Sequence, residues 1–390
     1  MAQQLAYVII TPYSLHKSRT GGILSRLITR TGLDLVGARM FAPSPGLVKQ
    51  YSDETISAND PQDRRIQELI YNYILQNFSP DPKTGRRRRV MMLLFQGEEA
   101  VRKTRSVVGN ITAGGRGGET IRDTYGDLII DDGNQVRYFE PAVLAAPTPE
   151  EAESKLRIWA HYSDTDGGVL ENVIGYQPGE KAQRTLVLIK PENFRFPTGR
   201  PGNMIDFFSR TGLFIVACKV HRMSVSQAMQ FYGPVREVLR TKLKEVVAVK
   251  ARSAIEKELG LKLGQEQERE LGHILGPVFG DNQFENIVRF MSGSTPSECS
   301  LGEADKPGTE KSIALVYEGV EAVRKIRDIL GPTDPSKAPP GSIRREFGQT
   351  IMINAAHASD SAENAKREMD IIDVGENTFR QIVEKFYGKV

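Results

Sequence analysis

The chain has 390 residues, of which 39% are hydrophobic and 26% charged, the composition of an ordinary globular protein rather than a disordered or low-complexity one. Its 52 Lys+Arg against 49 Asp+Glu leave a net charge of +3, too small to point to nucleic acid. Cys218 and Cys299 are its two cysteines, which excludes a disulfide scaffold and a four-cysteine zinc site. The apolar run Val90 to Phe95 is too short to span a bilayer and the N-terminus lacks a signal-peptide core, so a cytoplasmic protein without membrane partners is expected.

In chain order, a strand over Ala6–Thr11 leads to a helix over Gly22–Arg30 and a strand over Leu33–Phe41. After helical segments comes Arg86 to Arg89, read as a solvated loop feeding the buried strand Val90–Phe95. A helix with Glu99-Ala100-Val101-Arg102-Lys103, a glycine-rich loop, a last strand and a final helix complete the first half. The same order then begins again: strand Thr185–Lys190, helix Gly202–Arg210, strand Leu213–Val220, buried strand Ile313–Tyr317. Each half reads as β-α-β-β-α-β with extra helices, so the fold class is α+β with two tandem ferredoxin-like domains.

Direct repeats support a duplication. Arg30-Thr31-Gly32-Leu33 recurs as Arg210-Thr211-Gly212-Leu213, an offset of 180. Glu99-Ala100-Val101-Arg102-Lys103 recurs as Glu321-Ala322-Val323-Arg324-Lys325, an offset of 222. Glu150-Glu151-Ala152 answers Glu363-Asn364-Ala365 at 213. The drift assigns about 42 extra residues to the second copy between Leu213 and Gly319, and nine to the first between Arg122 and Glu150. The division expected is a first domain over 1–165, a linker over 166–183 and a second domain over 184–390, with a helical insertion at about 233–282.

The second copy carries Ile189-Lys190-Pro191, Tyr317-Glu318-Gly319, Arg327, Gly331, Thr333, Pro335 and Pro340-Gly341-Ser342-Ile343-Arg344. Asn354-Ala355-Ala356-His357-Ala358-Ser359-Asp360-Ser361 follows. In order and spacing these blocks resemble the nucleoside diphosphate kinase family, with Ala358 where the family has glycine. The resemblance implies that His357 attacks the γ-phosphate of a nucleoside triphosphate and passes it to a diphosphate, with Glu368 hydrogen-bonding the imidazole. It implies that Lys190, Arg327 and Arg344 meet the phosphates, Thr333 a phosphate oxygen, Asn354 the sugar hydroxyl, and that Tyr232 lines the pocket. ATP and nucleoside diphosphates are the implied ligands, and Mg²⁺, held by the nucleotide rather than by a metal-ligand cluster, is the implied cofactor. A homo-oligomer or an internal pseudo-dimer is implied as the assembly. Asp360 with Glu363 reads as a capping box opening a helix just after His357.

The first copy departs at the reacting positions. Thr11 stands at the lysine, Leu144 at the histidine, Pro141 at the asparagine and Lys155 at the glutamate, while Arg105 and Arg122 survive. Leucine has no lone pair, so this copy is expected to be degenerate and to serve as a pseudo-subunit. In the second copy Gln283 takes the place of the family's base-stacking phenylalanine, and Pro234 to Gly264 forms a basic amphipathic helical segment. The competing reading of the whole chain is a nucleotide-binding regulatory or scaffold pseudoenzyme of the same family.

Overall fold

The computed structural model describes residues 3–58, 60, 62–112, 117–300 and 302–390. The strands are β1 (Gln3–Ile10), β2 (Asp34–Phe41), β3 (Val90–Glu98), β4 (Asp127–Ile130), β5 (Val136–Glu140), β6 (Val143–Leu144), β7 (Ala182–Ile189), β8 (Phe214–His221), β9 (Ser312–Val320) and β10 (Ala356–Ala358). Eight of them build two four-stranded sheets, ordered β2-β3-β1-β6 and β10-β7-β9-β8, and β4 pairs with β5 in a separate two-stranded hairpin. Counted within each copy, both orders are 2-3-1-4 or its reverse, the ferredoxin-like arrangement that the repeated pattern predicts. Val8-Ile9-Ile10 and Leu186-Val187-Leu188-Ile189 are unbroken apolar runs because these strands lie inside the sheets and are covered on both faces. Each such side chain contributes about 1.5–3 kcal/mol on burial.

The duplication extends to backbone detail. Left-handed residues recur in pairs: Gly32 and Gly212, Glu99 and Glu321, Gly109 and Gly331, and Ala142 and Ala355, at φ of 64° and 70°, 52° and 56°, 85° and 84°, and 61° and 74°. Strand register also repeats, since Leu144 pairs with Ile9 as His357 pairs with Leu188.

The chain divides into two compact units, residues 1–220 with 313–390, and residues 221–312. Both sheets lie in the first. There the helices Thr20–Thr31 and Arg200–Ser209, one from each copy, cross at Gly21 and Gly202. A Cβ on Gly202 would stand 2.1 Å from the Gly21 carbonyl oxygen, so the crossing needs glycine. Across it Ser25 Oγ donates to the Gly199 carbonyl at 2.8 Å, and Asp206 accepts the Gly22 N–H. The final helix, Thr378–Tyr387, packs on helix Pro149–His161 and on β2, with Phe379 edge-on to Phe41 at 5.4 Å.

The arginine run proves less solvated than its sequence suggests. Arg87 pairs with Asp166 at 3.1 Å, Arg88 donates to the Gln76 carbonyl, and Arg89 donates to the Ile215 carbonyl with its guanidinium 5.1 Å from the Phe214 ring centre. The run stitches the start of β3 to Asp166, after the first copy, and to the second sheet. Composition around the run carries no sign of the Arg87 and Arg89 contacts, because Asp166, Phe214 and Ile215 are distant in sequence.

The second unit consists of the helices Val225–Lys242, Lys244–Leu259 and Gln265–Ser292, wider than the expected insertion. Gly272, Gly276 and Gly280, one turn apart, let the third helix approach the backbone of Lys244 and Arg240 closely. Asp281 takes Arg236 and Arg240, and Arg252 pairs with Glu256 and Glu268. Three arginines of the basic stretch, Arg236, Arg240 and Arg252, are thus bound inside the unit.

Candidate functional site

β10 is a three-residue strand at the edge of the second sheet, and it sets His357 opposite Leu188 of β7. Its imidazole Nε2 lies 2.9 Å from Glu368 Oε2. Ser359 Oγ donates to the same oxygen at 2.6 Å, and Arg367 stands 3.7 Å from the other. Glu368 is buried on helix Ala362–Ile371, so these donors replace the water that its carboxylate would otherwise hold. A carboxylate accepting from Nε2–H leaves the imidazole lone pair on Nδ1.

The helix begins one residue later than the expected capping box. Ser361, not Asp360, is its N-cap, accepting from Asn364 N at 3.0 Å, while Asp360 accepts from the Asn364 side chain at 2.6 Å. The Asn364 bond, with Arg327 and His357 nearby, holds the Asp360 carboxyl below its ordinary range. Arg327, exposed on helix Ala322–Leu330, lines with Asp360, Ser361, Glu321 and Arg324 a cleft of about 470 Å³.

Lys190 follows β7 and is almost fully buried. Its ammonium donates to the Asn354 Oδ1 at 2.9 Å and to the Met352 carbonyl at 2.5 Å. Burial first, and Arg344 beside it, lower its pKa to about 8, against a raising pull from Glu192. Asn354 in turn donates to the carbonyls of Ile351 and Thr333, which brings the Thr333 backbone into the cluster and leaves its side chain exposed. Arg344 spans the carbonyls of Gly331 and Ala356 at 3.0 and 3.1 Å, bracing the loop and β10 together.

Lys190, Asn354, Arg344, His357 and Glu368 thus form one connected centre, with Arg327 on its rim and Thr333 joined through its carbonyl. Tyr232 lies on helix Val225–Lys242 of the other unit, beside Phe231 with ring centres 5.0 Å apart.

Glu192, Ser359 and Arg200 were not singled out in the sequence. Glu192 Oε1 accepts the Ala355 N–H at 2.9 Å, and burial raises its carboxyl above the usual range while Lys190 pulls it back. Arg200 donates to the Phe347 carbonyl and stacks on its ring at 5.6 Å, as Arg19 does with Tyr125. That pairing of repeats was the available signal for Arg200.

The first copy preserves the frame and fills the centre. Arg122 spans Gly109 and Val143 as Arg344 spans Gly331 and Ala356. Lys155 is buried against Glu151 at 2.6 Å. The additional residues form the hairpin β4–β5, which brings Glu140 onto the Tyr73 hydroxyl at 2.6 Å and Thr11 Oγ1 at 3.0 Å. Phe139 closes on the Tyr73 ring at 5.8 Å.

One copy of the duplicated ferredoxin-like fold thus carries a histidine anchored by a buried carboxylate, with Lys190 buried and Arg344 half-buried beside it. Comparison with known proteins agrees. The nucleoside diphosphate kinase family model matches residues 307–374. The nucleoside diphosphate kinase of Campylobacter hominis is 31% identical over 193 residues, covering 50% of this chain and 96% of its own. That of Wolinella succinogenes is 32% identical over 188 residues, 48% of this chain and 92% of its own. The crystal structure of the Aquifex aeolicus nucleoside diphosphate kinase matches with 27% identity and a TM-score of 0.30, over 49% of this chain and 95% of that one. The chain belongs to the nucleoside diphosphate kinase family.

Proposed function

We propose that the chain is a nucleoside diphosphate kinase whose chemistry resides in the second copy. The Nδ1 lone pair of His357 forms a bond to the γ-phosphorus of a nucleoside triphosphate, the bond to the β-phosphate oxygen breaks, and the diphosphate leaves. A terminal oxygen of a second diphosphate then attacks the phosphorus and returns the lone pair to Nδ1, completing a ping-pong cycle. Lys190, Arg327 and Arg344 offset charge on the transferred group, and Thr333 and Asn354 hold phosphate and sugar. The observation that carries the reading is the His357–Glu368 bond at 2.9 Å, which orients the ring and determines its tautomer.

Among the described residues no three His, Cys, Asp or Glu side chains converge on a metal position. The cationic centre suits a Mg²⁺ that arrives on the nucleotide's own phosphates, where it adds positive charge beside Lys190 and the arginines. The first copy is assigned the role of an inactive internal partner, supported by Leu144 at the histidine register and by the Gly21–Gly202 helix crossing, so the chain is an internal pseudo-dimer. No described helix is long and apolar enough to cross a membrane, and the activity is assigned to the cytoplasm, where its nucleotides are.

The test is phosphate transfer from ATP to GDP by the wild type and by His357→Ala. GTP formation and an acid-labile, alkali-stable phosphoenzyme in the wild type alone support the reading. Nucleotide binding without transfer in the wild type would replace it with a pseudoenzyme.

A further inference from the structure

We propose that Glu192 is a positioning residue of this centre: its carboxylate ties the left-handed peptide at Ala355 to the turn after Lys190 and stands as the counter-charge of the Lys190 ammonium. The proposal rests on the kinase reading above.

Ala355 lies between Asn354, whose side chain holds Lys190, and β10, which carries His357. Its φ of 74° is unfavourable for a residue with a Cβ and persists only where its surroundings hold it. Three bonds do so, all from the segment 190–193. The Ala355 N–H goes to Glu192 Oε1 at 2.9 Å, and its carbonyl accepts from Lys190 N at 3.1 Å and Asn193 Nδ2 at 2.8 Å. The other Glu192 oxygen is buried with no hydrogen-bond partner among the described residues, so its charge is poorly screened toward Lys190.

The first copy separates the two tasks of this carboxylate. Ala142 keeps the left-handed bend, at φ 61°, and its N–H still meets a carboxylate at 2.9 Å. That carboxylate is Glu140, from the hairpin, while Tyr13 occupies the position of Glu192 and Thr11 that of Lys190. The bend is therefore kept in both copies, whereas a carboxylate two residues after the strand-end position is kept only where that position is lysine. A purely structural tie has no reason to follow the lysine; a counter-charge does.

The charged groups facing Lys190 are Glu192 on its own turn and Arg344 on helix Ile343–Phe347, alongside the neutral Asn354 amide and the Met352 carbonyl. Loss of the Lys190 proton weakens phosphate binding at alkaline pH, and the profile of kcat/KM reports the free enzyme. Glu192→Gln keeps an acceptor for Ala355 and removes the charge, so the alkaline limb moves to lower pH by about one unit, roughly a tenfold loss on that limb. Lys190→Arg, whose cation does not titrate, abolishes the limb, and Glu192→Gln in that background leaves the shape of the profile unchanged.

The experiment measures kcat/KM for ATP and GDP from pH 6 to 9.5 on the full chain, in the wild type, both single variants and the double variant. An active wild type with the limb unmoved in Glu192→Gln overturns the proposal alone. A wild type that transfers no phosphate overturns the functional reading and this proposal with it. Should Glu192→Gln fail to fold, Glu192→Asp keeps the charge and withdraws the bond to Ala355. A lowered kcat with the limb in place then supports the positioning role, and a wild-type kcat overturns it.

Discussion

The sharpest consequence of the site geometry concerns Glu368. One of its oxygens accepts both the His357 imidazole, at 2.9 Å, and the Ser359 hydroxyl, at 2.6 Å. Replacement by alanine removes a hydrogen bond to an ionised group, worth about 1.5–3 kcal/mol. Because that bond orients the nucleophile and strengthens as the ring gains positive character on attack, the loss falls on the chemical step. At about 1.4 kcal/mol per tenfold, His357 phosphorylation in Glu368→Ala slows by roughly 10- to 150-fold. Glu368→Gln places a neutral amide oxygen where both donors converge, so it retains the orientation, loses the charge, and slows by roughly 3- to 10-fold. Rapid-quench measurement of phosphoryl incorporation from saturating Mg-ATP isolates this step from product release. A Glu368→Ala rate within about twofold of wild type would refute the orienting role, because no difference between free and held imidazole would then appear.

Four further outcomes follow from the same geometry. Ser359→Ala removes one donor from a buried carboxylate but leaves His357 bound, so phosphorylation slows by less than in Glu368→Ala, which the same quench assay resolves. Leu144→His in a His357→Ala background incorporates no phosphate from labelled ATP, because Thr11 stands where Lys190 does, Lys155 is neutralised by Glu151, and the Glu140–Tyr73 contact fills the pocket. Gly202→Ala drives a Cβ into the Gly21 carbonyl and lowers stability by about 1–3 kcal/mol in denaturant unfolding, with no direct effect on His357 chemistry. Burial at the same helix crossing raises the Asp206 carboxyl from 3.8 to about 6. The folded state therefore holds this proton more tightly than the unfolded chain, so wild-type stability falls as pH rises through that window. Asp206→Asn flattens the dependence; an unchanged slope between about pH 4 and pH 6 in the melting curves would contradict this.

Much of the fold was legible because duplication writes every element twice. The offsets of 180, 222 and 213 located the strands, the helices and the insertions, and the pairing of Leu144 with Ile9 places it where offset counting did. Within the site, Asn354, His357 and Glu368 were legible because they are local in sequence, on one short strand and the helix after it. Glu192 was not, although it lies two residues from Lys190, since nothing in its neighbourhood shows that it meets a peptide 163 residues away. The helix start was misplaced by one residue because Asp360 and Ser361 both have N-cap chemistry, and only the backbone decides which side chain reaches the N3 amide.

By itself the sequence determined that one fold is present twice and that only one copy carries the histidine, since both follow from which residues stand at matched positions. Tertiary structure alone decided how the degenerate copy is closed and how the arginine run is used. The hairpin that sets Glu140 between Thr11 and Tyr73, and the reach of Arg87 and Arg89 to Asp166 and Ile215, join atoms far apart in sequence. Such contacts depend on loop closure and on burial across elements, which local pattern does not encode.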